Sequence, residues 1–164
     1  MGINFVKQYS QAGLAKEIPV YGPAFSFDER LLGAVGDAAL GVKNGSSWSQ
    51  DFAHDANKEF VAAFKKAYGR TPTLYAAQGY DTARLLASAL KQTGGIEDLG
   101  KLKAALKKAD FASVRGNFSF GVNQHPIQDL YIREVVKTDA GYTNVTVQKV
   151  FENHVDAYAG ECKM

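Results

Sequence analysis

Few side chains in this sequence have the types and spacing that catalysis or metal binding requires. His54, His125 and His154 lie far apart, and none has a second metal ligand nearby, so we expect no metal site. The GAVGDAALG segment lacks the preceding strand of a phosphate-binding loop, and GSSWS lacks the strand–turn–helix setting that exposes a nucleophilic serine. Acidic residues at 28–29 and 51–55 are typical of helix starts, where they complement the helix dipole. The sequence therefore predicts no catalytic residue, no cofactor and no enzyme.

One stretch, LYAAQGYDTARLLASAL at residues 74–90, places a polar cluster between a short apolar run and a helical pattern. The helix is expected to open at the cluster, with an apolar stripe of the kind that faces a core, formed by Tyr80, Ala83, Leu86, Ala87 and Leu90. Tyr80 is then either the first core residue of the helix or a ligand contact, because its ring is apolar and its hydroxyl can hydrogen-bond. Gln78, just before the expected helix, either caps it or contacts a ligand.

The composition is that of a globular protein with a core. The chain has 164 residues, of which 46% are hydrophobic and 22% charged. Its 19 basic and 17 acidic residues are scattered, and the net charge of +2 predicts no nucleic-acid surface. The single cysteine, Cys162, cannot form an internal disulfide. The first residues lack the basic, apolar and small-residue order of a secretory signal. They instead follow a helical pattern with no cap and no strand before it, so we expect the sequence to begin within a domain.

Hydrophobic periodicity predicts helices in the first two thirds of the chain and strands in the last third. The helical patterns lie near residues 3–12, 29–39, 55–68, 78–93 and 96–109, with a short strand at 18–21. After Ala112 the period becomes two, and the runs DLYIREVVK and YTNVTVQKV are joined by TDAG, which predicts a hairpin. The predicted class is α/β with a late antiparallel element.

Three motifs give the sequence a family resemblance. They are FxxxFKxxYGRTP at the end of one helix, YAAQGYD at the start of the next, and GxFSFxxNxxPxQ leading into YIREV. Together they resemble the later half of type I periplasmic solute-binding proteins of ABC transporters, the branched-chain amino acid (Leu/Ile/Val) binding family. The resemblance covers essentially the whole chain.

The resemblance implies parts of two Rossmann-like lobes that close on a ligand by hinge motion. Residues 3–50 would belong to the second lobe, 51–115 to the first lobe, and 116–164 would return to the second. Each lobe would be incomplete, because the opening strands of the first lobe and the signal peptide would precede residue 1. Unpaired strand edges and an apolar face would then favour oligomers.

The same resemblance implies where a ligand would be contacted. Tyr80, with Gln78 beside it, would lie at the cleft. The loop after the strand at 18–21 ends a second-lobe strand at its carboxyl end, where open α/β sheets place ligands, so it contributes Ala24, Phe25 and Ser26 as candidates. Asp37 sits where amino-acid binders of the family carry an acid for the ligand ammonium, and it is otherwise a solvated helix acid. If Asp37 does not face the cleft, an aromatic or aliphatic carboxylate is favoured over an amino acid.

The implied function is capture of an amino acid or a related small carboxylate, aromatic carboxylates included, in the periplasm, for delivery to an ABC permease in the inner membrane. A ligand-sensing regulatory domain of the same fold is the alternative.

Overall fold

A computed structural model describes residues 2–162 and contains five helices and five strands within that range. The helices are α1 (Gly2–Gln11), α2 (Glu29–Val35), α3 (Asp55–Tyr68), α4 (Leu74–Thr93) and α5 (Leu99–Lys108). The strands are β1 (Tyr21–Pro23), β2 (Lys43–Ser46), β3 (Phe118–Phe120), β4 (Pro126–Thr138) and β5 (Gly141–His154). Short 3-10 turns lie at Leu14–Lys16, Ala24–Phe27, Gly36–Ala39 and Ala159–Glu161. The predicted α/β class is confirmed.

Local hydrogen bonds explain where the helices begin and end. Asp28 caps α2 by accepting from the Arg30 N–H, and Asp98 caps α5 by accepting from the Lys101 N–H. Gly69 and Gly94 close α3 and α4 in the left-handed conformation, with φ of 64° and 73°. Glycine adopts this conformation without the steric cost of a Cβ. The sequence predicted the cap at Asp28 and both glycine stops.

Four predicted boundaries were wrong. Helix α2 ends at Val35, with a 3-10 turn from Gly36 to Ala39 where the helix was predicted to continue, and α5 begins at Leu99 and not at 96. Helix α4 begins at Leu74 and not at the polar cluster, because the Thr73 side chain accepts a hydrogen bond from the Ala76 N–H at 3.1 Å and the apolar run becomes the first turn. Strand β1 spans Tyr21–Pro23 and not 18–21, because its register is set by parallel pairing with β2, from Tyr21↔Lys43 to Pro23↔Gly45. Ile18 is consequently exposed.

The sheet is mixed and is organised around β4. One edge of β4 pairs antiparallel with β3 near Gln128 and with β2 near Ile132, and β2 in turn pairs parallel with β1. The other edge of β4 pairs antiparallel with β5, down to Thr138↔Gly141 at the turn. The predicted late hairpin is therefore confirmed.

Two apolar clusters form the core. The first lies between α1, α2 and the sheet and consists of Val6, Phe27, Leu32, Val35, Ala39, Val42 and Val135. The second consists of Ala24, Trp48, Phe60, Leu74, Ala77 and Val114. Its members come from both sides of residue 50, so the segments predicted to belong to different lobes meet in this cluster. The three-segment division itself stays a prediction.

A buried polar network fastens the hairpin to the rest of the sheet. Arg133 of β4 is only 2% exposed, and its Nε and Nη2 donate to Asn44 Oδ1 at 3.0 and 2.7 Å. Asn44 Nδ2 in turn donates to Asn144 Oδ1 of β5 at 2.7 Å. Because a buried guanidinium is costly without hydrogen-bond partners, this network ties β2, β4 and β5 together.

Candidate functional site

A groove of about 440 Å³ lies at the carboxyl ends of β1 and β2. The volume is within the range that small-molecule sites occupy, roughly 300–1,000 Å³. The groove is lined by Pro23, Ala24, Phe25, Gly45, Ser46, Ser47, Leu74, Gln128, Leu130, Tyr131, Ile132, Val150 and Phe151. Carboxyl ends of parallel strands are where open α/β sheets place their ligands.

The local sequence determines how the groove walls are built. Pro23 ends β1, and the chain turns at once into the Ala24–Phe27 3-10 turn. This turn buries Ala24 in the second core cluster and leaves Phe25 56% exposed at the groove. Opposite Ser46 of β2 lies Tyr131 of β4, so the antiparallel pairing brings residues more than 80 positions apart to one site. The result is a wall that is mostly apolar.

The polar groups of the groove are mostly engaged in internal hydrogen bonds. Ser46 Oγ donates to the Trp48 carbonyl at 2.6 Å, and Gln128 Oε1 accepts from Arg115 Nη1 at 3.0 Å. Among residues 2–162, no Asp, Glu, Lys or Arg lines the groove. Nor do any three His, Cys, Asp or Glu side chains in this range cluster to hold a metal ion. The groove therefore offers apolar contact and a few hydrogen-bonding groups, but no ionic partner from the described chain.

Tyr131 is held by a carboxylate outside the groove lining. Its hydroxyl donates to Asp129 Oδ2 at 3.1 Å, and both burial and this hydrogen bond raise the pKa of the Tyr131 phenol. Burial by itself would raise the pKa of Asp129, but hydrogen bonds from Lys149 and the Asn153 N–H lower it below its ordinary value. Tyr131 is therefore a neutral phenol next to an ionised carboxylate at neutral pH.

Of the six predicted ligand contacts, only Ala24 and Phe25 line this groove. Ser26 is half-buried in the same turn. Gln78 is exposed within α4, where its carbonyl accepts from Thr82 Oγ1. Tyr80 packs on a different surface, with its ring centroid 4.7 Å from that of Phe60.

Asp37 lies at the far end of the hairpin. Its side chain is 68% exposed, and Oδ1 accepts from Tyr142 Oη at 2.5 Å and from Lys137 Nζ at 3.0 Å. The Tyr142 and then the Lys137 hydrogen bonds lower the pKa of Asp37. Lys137 is five residues along β4 from the groove residue Ile132, a distance of about 16 Å at the rise of a strand. The structure does not bring Asp37 to Phe25.

Sequence reasoning missed the groove residues contributed by α4 and by the hairpin. Leu74 lies in the apolar run before the predicted helix, Leu130 and Ile132 lie in a predicted strand, and Phe151 directly follows the second predicted strand run. Period-two alternation identifies such residues as lying on sheet faces, but which face borders a groove depends on strand pairing.

No helix among the described residues is long and apolar enough to cross a membrane.

Comparison with known proteins places the chain among solute-binding proteins. The periplasmic binding protein family matches residues 1–141. Leu/Ile/Val-binding protein homolog 6 of Brucella suis is 31% identical over 159 residues, which cover 94% of this chain and 40% of that protein. The chain thus spans well under half the length of the curated relatives it matches.

Several solved structures share this fold, and two examples were determined in complex with aromatic acids. A solute-binding protein of an ABC transporter from Rhodopseudomonas palustris BisB5, in complex with 3,4-dihydroxybenzoic acid, is 40% identical with a TM-score of 0.84, over 98% of this chain and 44% of that one. A solute-binding protein from R. palustris in complex with benzoate is 33% identical with a TM-score of 0.84, over 99% of this chain and 43% of that one. These matches confirm the resemblance and the fold class that the motifs predicted. The chain belongs to the periplasmic binding protein family.

Proposed function

We propose that this chain is part of an extracytoplasmic solute-binding protein that captures a small aromatic carboxylate for uptake by an ABC transporter. The observation that carries the proposal is the groove at the carboxyl ends of β1 and β2, which is mostly apolar, holds Phe25 and has no charged lining residue in the described chain. An exposed aromatic ring can stack on an aromatic ligand. The relative that is 40% identical was crystallised with such a ligand.

The lack of an acid in the groove favours an aromatic carboxylate over an amino acid. An ammonium group that leaves water needs a carboxylate or several acceptors as partners. Asp37, the acid predicted for that role, is instead engaged with Lys137 and Tyr142. The described chain thus supplies no acid for an ammonium at this groove.

Ala24 and Phe25 are the ligand contacts that we propose from the predicted set. Contacts from Ser26, Gln78, Tyr80 and Asp37 stay a prediction, because these residues lie outside the groove lining. A ligand-bound structure would test them directly.

The partner in this proposal is an ABC permease of the inner membrane, and the location is the periplasm. The family and the solved relatives support transport over the regulatory alternative. Permease and ATPase genes next to the coding gene would support transport further, and a regulator gene would support the alternative.

The direct test is thermal unfolding of this chain with 3,4-dihydroxybenzoate, benzoate and leucine, each added separately. A ligand that binds only the folded state adds about 2.7 kcal/mol at 100 times its Kd. We expect the two aromatic acids to raise the Tm and leucine to leave it unchanged. The dihydroxybenzoate-binding relative, treated in parallel, is the positive control. A shift with leucine and none with the aromatic acids would contradict the proposed ligand class.

We also propose that the chain self-associates through an apolar surface on α3 and α4, which we call the α3–α4 face. Its members are Ala63, Phe64, Ala67, Tyr68, Ala76, Tyr80, Ala83, Leu86, Ala87 and Leu90. Of these, Tyr68 is 65% exposed and Leu86 is 45% exposed. Contiguous exposed apolar surface of this kind marks an interaction site.

A further inference from the structure

We propose that Asp28 is a positioning residue for the groove, because its carboxylate joins the turn that carries Ala24 and Phe25 to the first turn of α4. The ligand-binding part of this inference rests on the proposed function. The conformational part does not depend on any ligand.

The Asp28 carboxylate serves the starts of two helices at once. The residue is 6% exposed. Its Oδ1 accepts from the Arg30 N–H at 3.3 Å, and its Oδ2 accepts from the Leu74 N–H at 3.1 Å. The first N–H groups of a helix have no partner within the helix. Thr73 satisfies the Ala76 N–H of α4, and Asp28 satisfies the N–H of Leu74.

This bond connects two segments that line the groove, the Ala24–Phe27 turn and the start of α4. Asp28 follows Phe25 by three residues in the chain, and Leu74 lies 46 residues further on. The side chains of Phe25 and Leu74 both line the groove, and Leu74 also packs with Ala24 and Trp48 in the second core cluster. If either segment moved alone, a buried oxygen of the Asp28 carboxylate would lose its hydrogen-bond donor, which is costly. The hydrogen bond therefore holds the two segments in one relative position.

Substitution of Leu74 by proline removes the donor with little change to the helix. Proline is favoured at the first position of a helix because its missing N–H has no intrahelical partner there. Thr73, which would precede the proline, has φ of −97° and ψ of 168°, an extended conformation that a following proline allows. Leu74→Ala is the matched control, since it removes the side chain but keeps the N–H. Alanine has fewer side-chain atoms than proline. If lost packing were the only effect, Leu74→Ala would therefore show the larger changes in quenching and Kd.

A second variant tests the bond from the acceptor side. Asp28→Ser keeps a good N-cap for α2. A single hydroxyl oxygen cannot also reach the Leu74 N–H. This variant separates the link to α4 from the capping of α2, and it remains informative if Leu74→Pro does not fold by circular dichroism.

The readouts are acrylamide quenching of Trp48 without ligand and the Kd for 3,4-dihydroxybenzoate. Trp48 is the only tryptophan in the sequence and is 1% exposed, in contact with the same cluster as Ala24 and Leu74. We expect Leu74→Pro to increase the quenching constant at least twofold and the Kd about tenfold relative to Leu74→Ala. We expect Asp28→Ser to cause changes of the same size relative to the wild type. Quenching and Kd that match these references would overturn the inference. If the wild type binds no probe, the proposed function fails, and the quenching comparison still decides the role of Asp28.

Discussion

At the residue scale, the Glu29 carboxylate shows how burial and hydrogen bonding oppose each other in this chain. It accepts from the Asn144 N–H at 3.1 Å, from Asn144 Nδ2 at 2.9 Å and from Thr143 Oγ1 at 3.0 Å. Burial raises the pKa of Glu29 above its ordinary value of 4.5, although these bonds and the Arg133 charge lower it in part. The folded state therefore binds this proton more tightly than the unfolded state does.

This shift determines the sign of a pH effect on stability. Because the folded state retains the Glu29 proton at higher pH, stability falls as the pH rises from 4.5 through the raised pKa. Glu29→Gln removes the titration while keeping the shape of the side chain. We expect the urea midpoint of the wild type to decline relative to that of Glu29→Gln above pH 4.5. Parallel pH profiles for the two proteins would contradict the direction of the shift.

Phe25 is the residue on which the proposed ligand class depends most. Replacing it by alanine removes the exposed ring at the groove, and an aromatic pair contributes about 0.5–1.5 kcal/mol beyond its buried area. We expect Phe25→Ala to weaken 3,4-dihydroxybenzoate binding by about tenfold, measured by calorimetry. Tyr21→Ala is the control, because Tyr21 is a 64% exposed aromatic on the same strand segment and lies outside the groove lining. Equal losses in the two variants would mean that the ring does not contact the ligand.

At the element scale, α4 buries a different face from the one its apolar stripe indicates. Leu74, Ala77, Asp81 and Ala89 are buried, whereas Leu86 and Leu90 of the predicted stripe are exposed. The buried face includes a carboxylate because Asp81 has three partners beyond the helix. It accepts from the Val114 N–H at 2.9 Å, from Ser113 Oγ at 2.6 Å and from Arg115 Nε at 2.9 Å.

Removal of the Asp81 carboxylate should be strongly destabilising, because it would leave Arg115 without its charged partner. The Asp81 side chain is 1% exposed and that of Arg115 is 12% exposed, so water screens this pair weakly. Removing one partner of a buried pair costs about 3–5 kcal/mol. We expect Asp81→Ala to lower the free energy of unfolding by an amount of that order in urea titrations. Asp55→Ala is the control, because Asp55 is 93% exposed and 4.0 Å from Lys58, and exposed pairs contribute about 0–1 kcal/mol.

At the scale of the whole molecule, the α3–α4 face leaves apolar side chains of two helices exposed. A stripe with the period of a buried helix face is exposed here, in a chain that spans 40% of the length of its curated relative. The sequence predicted that such a face would favour oligomers, and the proposed self-association follows from it.

A charge placed in this face should reduce self-association. Leu86→Glu puts a carboxylate among apolar side chains that would be desolvated in a complex, so we expect a lower mean mass in light scattering than for the wild type. Leu99→Glu is the matched control, because Leu99 is 72% exposed on α5 and lies outside the face. A wild-type chain that is a monodisperse monomer would contradict the proposal.

Features that depend on residues close together in the chain could be predicted from the sequence alone. The caps at Asp28, Gly69 and Gly94 were predictable because each rests on a hydrogen bond or a φ angle within a few residues. The hairpin was predictable from its turn and its alternation, and three motifs identified the family.

Which residues face the groove depends on contacts between distant parts of the chain. Phe25, Leu74 and Ile132 meet there although about 50 residues separate each from the next. Asp37 lies elsewhere because its partners, Lys137 and Tyr142, are about 100 residues away. Likewise, Asp81 is buried because its hydrogen-bond partners, more than 30 residues further along the chain, pack against its face of α4. The neighbouring apolar stripe of α4 is consequently exposed. Local periodicity shows that a side chain belongs to a face, whereas burial of that face depends on which distant element packs against it.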